Sequence, residues 1–316
     1  MPAITTHYIF ADSHLPKETA FRKATVLASQ GPDPFFFFGQ LPWRRHDKKI
    51  YQKISHFGNA LHREDITDIY YAMIEYAKTS EDKELLFAFI RGLFLHYVLD
   101  RNCHRYVYAK TGFSDDPILA KFYSSCHTKT ESAIDKLLGE EYGCWNENPD
   151  YCLSLDDDSL MKISKMIYEA NRVSDKDPSI QEDSYFLSVH DYRKAMKFIN
   201  KPHAFKRWLT RRIGAESMAF SLNYPRDLKK VYGDIDFLNE AHREWPDPTT
   251  GKMSKKSFKE LMDDAWEDYL RLSPSLEEAF LGKNTKETIR KWVDNITHNG
   301  NPVGTKMQYM DVFFSK

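Results

Sequence analysis

The chain has 316 residues, with 45 Lys and Arg against 46 Asp and Glu, which gives a formal net charge of -1. Hydrophobic residues make up 41% of the chain, which excludes an intrinsically disordered protein. The balanced charge provides no overall basic field, so we expect no nucleic-acid partner and at most peripheral membrane contact. Only 13 residues are glycine, which argues against a glycine-rich nucleotide-binding fold.

The N-terminal residues and the cysteines indicate a cytoplasmic protein. Residues 1–15 lack the basic start, apolar run and small-residue cleavage site of a secretory signal. The strongest apolar run, residues 85–99, contains Arg91 and His96 and is shorter than the roughly 20 residues that a membrane span needs. The four cysteines form no CxxC pair, so we expect free thiols and no zinc finger.

The spacing of apolar residues predicts helices along most of the chain. In chain order they are a short capped helix within residues 1–30 and helices over residues 59–78, 81–108, 115–138, 160–173, 188–200 and 257–273. Proline, glycine and polar residues predict loops over residues 31–43, 141–158, 223–225, 245–251 and 295–304. The last residues are predicted to pair as a strand or to pack as a tail. Few stretches alternate with period two, so the predicted fold is all-α, with the helix over 81–108 buried at its centre.

Two pairs of polar residues with helical spacing are the strongest functional signal. His96 and Asp100 lie four residues apart in the predicted central helix, so both project from one face, and His104 follows one turn later. On the next predicted helix, His127 and Glu131 are again four residues apart. Imidazole and carboxylate groups are ligands that suit zinc, so this pattern predicts a metal site.

A single His-x-x-x-Asp pair has a simpler interpretation, because most such pairs are surface pairs or histidines satisfied within the core. Here, however, Asp100 lies in a run of Leu, Phe, Val and Tyr, where burying a carboxylate without a cation is costly. The second pair on the next helix makes a coincidence less probable. We therefore favour the metal site.

Further candidate ligands precede these helices. Asp33 lies between two prolines, which restrict the backbone and fix the direction of the carboxylate. His7, His56 and His62 are isolated histidines. Each of these residues also has an ordinary structural interpretation, as a turn residue, a helix cap or a surface histidine.

Five segments follow one another along the chain: THYIFAD, GPDPFFFF, GNALHRED, HYVLDRNCH and HTKTE. In this order they resemble the zinc-dependent phospholipase C family. The single-strand-specific fungal nucleases share the fold of that family. The resemblance covers about residues 1–140 and implies a metal-binding phospholipase C-like core there. Residues 141–316 would then form the helical C-terminal part of the same domain or an extension of it.

The resemblance also implies a set of ligands for two or three zinc ions per chain. One ion would be held by His62, His96 and Asp100, a second by His104, His127 and Glu131, and a third by His7 with a share of Asp100. Asp33 would act as general base or as an additional ligand.

The chain departs from the family pattern at its N-terminus. Secreted members begin at a processed tryptophan that binds the third zinc, and no such residue is present here. The amine of Pro2, or of Met1 if it is retained, is a candidate replacement. The alternative is a site with two ions.

The activity implied by the resemblance is zinc-dependent hydrolysis of a phospholipid or another small phosphodiester, with a metal-activated hydroxide attacking phosphorus. Arg44, Arg45 and Arg63 could reach a phosphate or be ordinary surface arginines, and the run of four phenylalanines at residues 35–38 could line an acyl cleft or belong to the core. A nuclease or nucleotidase on the same fold is one alternative, although the net charge gives no sign of it. The other alternative is a metal-binding module with little activity, which Asp33 beside the ligand set disfavours.

Overall fold

The computed structural model describes residues 4–17, 20–39, 48–144, 148–200, 229, 232–283 and 286–314. The fold is mostly helical, which confirms the predicted all-α class. The described α-helices are α1 (Ile4–His14), α2 (Arg22–Ala28), α3 (Lys48–Arg63), α4 (Thr67–Thr79), α5 (Lys83–Thr111), α6 (Pro117–Glu141), α7 (Asp150–Leu153), α8 (Asp157–Ser174), α9 (Ser184–Asn200), α10 (Phe258–Phe280) and α11 (Lys286–Val293). A short 3-10 helix spans Asp33–Phe37. Within the described ranges, none of these helices combines the length and the apolar character that a membrane span requires.

The only regular sheet among the described residues is a pair of two-residue strands, β1 (Trp245–Pro246) and β2 (Met253–Ser254). They pair antiparallel, with Trp245 opposite Ser254. The residues between them form the turn predicted at 245–251. The turn predicted at 223–225 lies outside the described residues.

Helix α5 is the centre of the fold, as its apolar sequence predicts. It packs against α2, α4, α6 and α10, and its side chains are buried on almost every side. At its polar end, Arg101 forms an ion pair of 2.6 Å with Asp268 of α10 and lies over the ring of Trp292 in α11. These contacts join the C-terminal helices to the helix that carries three of the candidate ligands.

Several predicted boundaries were wrong in an informative way. The predicted helix over 59–78 is divided between α3 and α4, and Asp65 in the connection accepts a 2.7 Å hydrogen bond from the backbone N–H of Thr67, a local turn contact that competes with helix. The predicted first helix is divided into α1 and α2, since Pro16 disfavours helical backbone at the preceding residue. The predicted loop over 141–158 contains the short helix α7.

The C-terminal residues pack as a tail, which was one of the two predicted alternatives. The backbone N–H groups of Asp311 and Phe313 donate to the carbonyls of Ala109 and Lys110 at the end of α5, at 2.7 and 2.8 Å. The ring of Phe313 packs edge-on against Phe237, at 5.5 Å between centroids. The tail therefore covers the C-terminal end of the central helix.

Candidate metal centre

All eight predicted ligands converge at one place, although they come from five elements. Helix α1 supplies His7, the 3-10 helix supplies Asp33, α3 supplies His62, α5 supplies three residues and α6 supplies two. They form three groups, and within each group the ligand atoms lie within 4.8 Å of one another. The groups are His7, His96 and Asp100; Asp33, His62 and His96; and His104, His127 and Glu131. Each group could hold a metal ion. None of them contains a cysteine, although Cys103 and Cys126 lie beside two of the histidines in sequence.

The group of Asp33, His62 and His96 has a second carboxylate, that of Asp100, within close reach. His62 Nε2 lies 3.2 Å from Asp33 Oδ1 and 3.8 Å from Asp100 Oδ2. His96 Nε2 lies 3.0 Å from the same Asp100 oxygen. Asp33 therefore lies in bonding range of an ion held by these histidines, which is compatible with its predicted role as an additional ligand.

Backbone carbonyls fix the orientation of three of the imidazoles. In each case Nδ1–H donates to a carbonyl, so Nε2 is left to face the carboxylates. The pairs are His62 to Gly58 at 2.8 Å, His96 to Ser29 at 3.0 Å and His104 to His298 at 3.0 Å. Donation of the second ring nitrogen to a carbonyl or carboxylate is the usual arrangement of a metal-binding histidine.

Two atoms where the ligand groups meet are buried without a hydrogen-bond partner among the described residues. They are His96 Nε2 and Asp100 Oδ2, which lie 3.0 Å apart but are not aligned as donor and acceptor. In a neutral His96 whose Nδ1 carries the proton, both atoms present lone pairs to each other. Buried polar atoms of this kind are costly, and a cation bound by both removes the cost. The donor set therefore fits a divalent cation that prefers nitrogen and oxygen.

A tight turn brings Ser29 and Asp33 to the His96 ring. Gly31 at its centre has a φ of 54°, and a Cβ atom there would overlap the imidazole. Only glycine combines this left-handed backbone with so close an approach. The turn therefore places the carbonyl that orients His96 next to the carboxylate that faces His62.

The position of His7 depends on a buried carboxylate of α6. Asp135 accepts hydrogen bonds from the backbone N–H groups of Thr5 and Thr6, at 2.9 and 2.8 Å, and so caps the first turn of α1. His7 then stacks on the His96 ring, and its Nε2 lies 3.3 Å from Asp100 Oδ1. Burial raises the pKa of Asp135 to about 7, against the opposing effect of these hydrogen bonds.

The third group is built around Glu131 Oε1, which lies 3.2 Å from His104 Nε2 and 3.0 Å from His127 Nε2. Burial by itself would raise the pKa of Glu131, but the adjacent imidazoles hold it well below its ordinary value. Burial would likewise lower the pKa of His104, but the Asp100 and Glu131 carboxylates raise it to about 9. A cation that binds His104 must therefore displace a proton.

An open cleft of about 390 Å³ lies over the three groups. Its walls outside the ligand groups include four aromatic side chains: Phe36, Tyr108, Phe113 and Tyr123. Arg63 is the only guanidinium among the described lining residues. Of the run of four phenylalanines, Phe36 lines this cleft, while Phe35, Phe37 and Phe38 are buried in the core.

The structure adds one residue that the sequence did not single out. His298 is completely buried, with ring centroids 5.1 Å from His62 and 5.4 Å from His96. Burial and the neighbouring histidines hold its pKa well below the ordinary value. Its only sequence signal is a lone histidine in a turn-rich segment, with no helical spacing to connect it to the other ligands.

Some predicted site residues lie outside the described part of the chain. They are Arg44, Arg45 and the N-terminal residues Met1 and Pro2. A terminal amine ligand for a third ion therefore stays a prediction.

Comparison of the chain with protein-family models, with curated proteins and with solved structures finds no match in any of the three. Membership of the zinc-dependent phospholipase C family therefore also stays a prediction, based on the five sequence segments.

Proposed function

We propose that this protein is a zinc-dependent hydrolase of phosphodiesters that resembles phospholipase C. The observation that carries the proposal is the convergence of three nitrogen-and-oxygen ligand groups beneath one open cleft. Adjacent groups are connected, since His96 belongs to two of them and Asp100 Oδ2 also approaches His104 Nδ1, at 3.6 Å. Neighbouring metal sites of this kind suit displacement at phosphorus, where both the attacking and the leaving oxygen need stabilisation.

The charges of the donor set favour an anionic substrate. Three carboxylates contribute three negative charges, whereas two or three zinc ions would contribute four or six positive charges, so the occupied ligand set would carry a net charge of +1 to +3 before a hydroxide ligand is counted. Arg63 at the cleft adds a guanidinium that can form two hydrogen bonds to a phosphate. A phosphodiester is therefore attracted to the centre before it reacts.

Bound zinc lowers the pKa of a water ligand towards about 7 and polarises phosphoryl oxygens. The chain's own residues would orient and complete this chemistry. The Asp33 carboxylate borders the cleft and is available to accept a proton from the attacking water. Arg63 would hold a non-bridging phosphate oxygen, and the backbone carbonyls behind the imidazoles would keep their Nε2 atoms directed at the centre.

The aromatic walls of the cleft favour one further candidate substrate. Four rings could cover the apolar part of a phospholipid, or they could stack against nucleobases, which is how single-stranded nucleic acids are held without sequence preference. A nuclease or nucleotidase on the same site is therefore the second candidate.

Metal analysis followed by a substrate panel tests these proposals. We expect the purified, zinc-loaded protein to hold two or three ions per chain and to hydrolyse bis-nitrophenyl phosphate. Phosphatidylcholine vesicles and single-stranded DNA then separate the two candidate functions. His14→Ala is a suitable control, because His14 lies on α1 outside the ligand groups. Full zinc occupancy without hydrolysis of any of the three substrates would contradict the enzymatic proposal and favour a metal-binding module.

A further inference from the structure

A closed loop near the C-terminus, residues 295–303, lies directly against the metal centre. Its two ends are joined by the bridge between Ile296 and Pro302. Inside it, the N–H of Thr297 donates to the carbonyl of Asn301 at 2.9 Å, and the N–H of Gly300 donates to that of Thr297 at 3.0 Å. The loop therefore has an internal structure of its own and can dock as a unit.

The loop is attached to α5 at the turns that carry the ligands. The hydroxyl of Tyr97 donates to the carbonyl of Ile296 at 2.7 Å. Gly300 has a φ of 80°, and a Cβ atom there would overlap the carbonyl oxygen of Arg101. Since Arg101 follows Asp100 directly, the loop backbone touches the helix next to a carboxylate that approaches members of all three ligand groups.

One residue of the loop contacts members of all three ligand groups. The carbonyl of His298 accepts the 3.0 Å hydrogen bond from His104 Nδ1, which leaves His104 Nε2 facing Glu131. The imidazole of the same residue packs against the rings of His62 and His96. Both of its ring nitrogens are buried without a hydrogen-bond partner among the described residues, and it belongs to none of the three ligand groups.

We propose that His298 is a positioning residue and that docking of loop 295–303 is coupled to metal binding at His104, His127 and Glu131. With the loop docked, the carbonyl of His298 holds the His104 ring in the tautomer and orientation that direct Nε2 at the ion. With the loop undocked, that orientation is lost, and losing such a partner typically lowers metal affinity by about 10–100-fold. Coupling of this kind is reciprocal, so the bound ion must favour the docked loop by the same factor. The inference depends on the metal centre proposed above but not on the hydrolytic activity.

Gly300 in the loop and Gly304 just after it provide a matched pair of variants. Gly300→Ala introduces a Cβ that collides with the carbonyl of Arg101, whereas Gly304→Ala introduces one into open space. Both glycines have a left-handed φ, at 80° and 77°, so both alanines carry backbone strain from a positive φ. A difference between the variants therefore reports the close approach of the loop to α5.

Zinc titration against a competing chelator measures the effect. We expect Gly300→Ala to lower the affinity for one zinc ion by about 10–100-fold and to leave the affinities for the remaining ions unchanged. Gly304→Ala should bind zinc like the unaltered protein. The visible spectrum of the cobalt-loaded protein should change only in Gly300→Ala, because it reports ligand geometry. Equal zinc affinities in the two variants would overturn the inference.

Hydrogen exchange in the unaltered protein tests the reciprocal effect without a variant that has to fold. We expect the amides of Thr297 and Gly300 to exchange about 10–100-fold more slowly with zinc than without it. Identical protection in both states would refute the coupling while leaving the metal centre intact. Absence of any bound zinc would refute both proposals.

Discussion

Asp100 is the residue whose removal should disturb the metal centre most. Its carboxylate is only 4% exposed and lies among four imidazoles. Oδ1 lies 3.3 Å from His7, and Oδ2 lies 3.0, 3.6 and 3.8 Å from His96, His104 and His62. Because this one carboxylate reaches members of all three ligand groups, we expect Asp100→Ala to lose more than one ion per chain.

The size of the effect follows from the number of ions lost. An ion at a free concentration 100 times its dissociation constant stabilises the folded state by about 2.7 kcal/mol. Losing two such ions therefore removes about 5 kcal/mol of zinc-dependent stability. In the metal-free protein the substitution also removes the charge that raises the pKa of His104, and breaking a buried pair of this kind costs about 3–5 kcal/mol.

Zinc content after dialysis and urea unfolding with and without zinc measure both effects. Asp12→Ala is the matched control, since it removes a carboxylate of the same size that pairs with Arg22 outside the ligand groups. We expect the control to keep its full zinc content. If Asp100→Ala also keeps it, the shared role of this carboxylate is wrong.

Three further predictions test other parts of the site. Asp33→Asn should lose one ion if Asp33 is a ligand; if it is only the general base, zinc content is kept and turnover falls by about 10²–10⁴. Nearby carboxylates raise the pKa of His104 to about 9 from 6.5. Its protonation therefore contributes fully to the free energy of unfolding of the metal-free protein below pH 6.5, and this contribution is lost as the pH rises through 9. Urea unfolding in a chelator should therefore show a loss of about 3 kcal/mol over this range that is absent in His104→Gln. Asp135→Asn turns an amide N–H towards the donors of Thr5 or Thr6. It should therefore destabilise the protein by about 1–3 kcal/mol and lower the affinity for the ion bound by His7. An unchanged melting temperature and zinc content would contradict this role.

Local sequence patterns predict the helical class, which the structure confirms, and most of the candidate ligands. Helix formation depends on local periodicity, so the central helix and the four-residue spacing of His96 with Asp100 and of His127 with Glu131 can be derived from neighbouring residues alone. The resemblance of five short segments then added the isolated residues His7, Asp33 and His62, which local spacing cannot connect.

Which of these side chains meet depends on how distant elements pack together. His298 approaches the ligands through a contact between residues almost 200 positions apart, and no local pattern encodes such a distance. The division of the ligands into three groups likewise depends on how α1, the turn at Gly31 and loop 295–303 pack against α5. Sequence periodicity fixes which face of a helix a side chain occupies, whereas close packing between elements fixes the distances of a few ångströms on which metal binding depends.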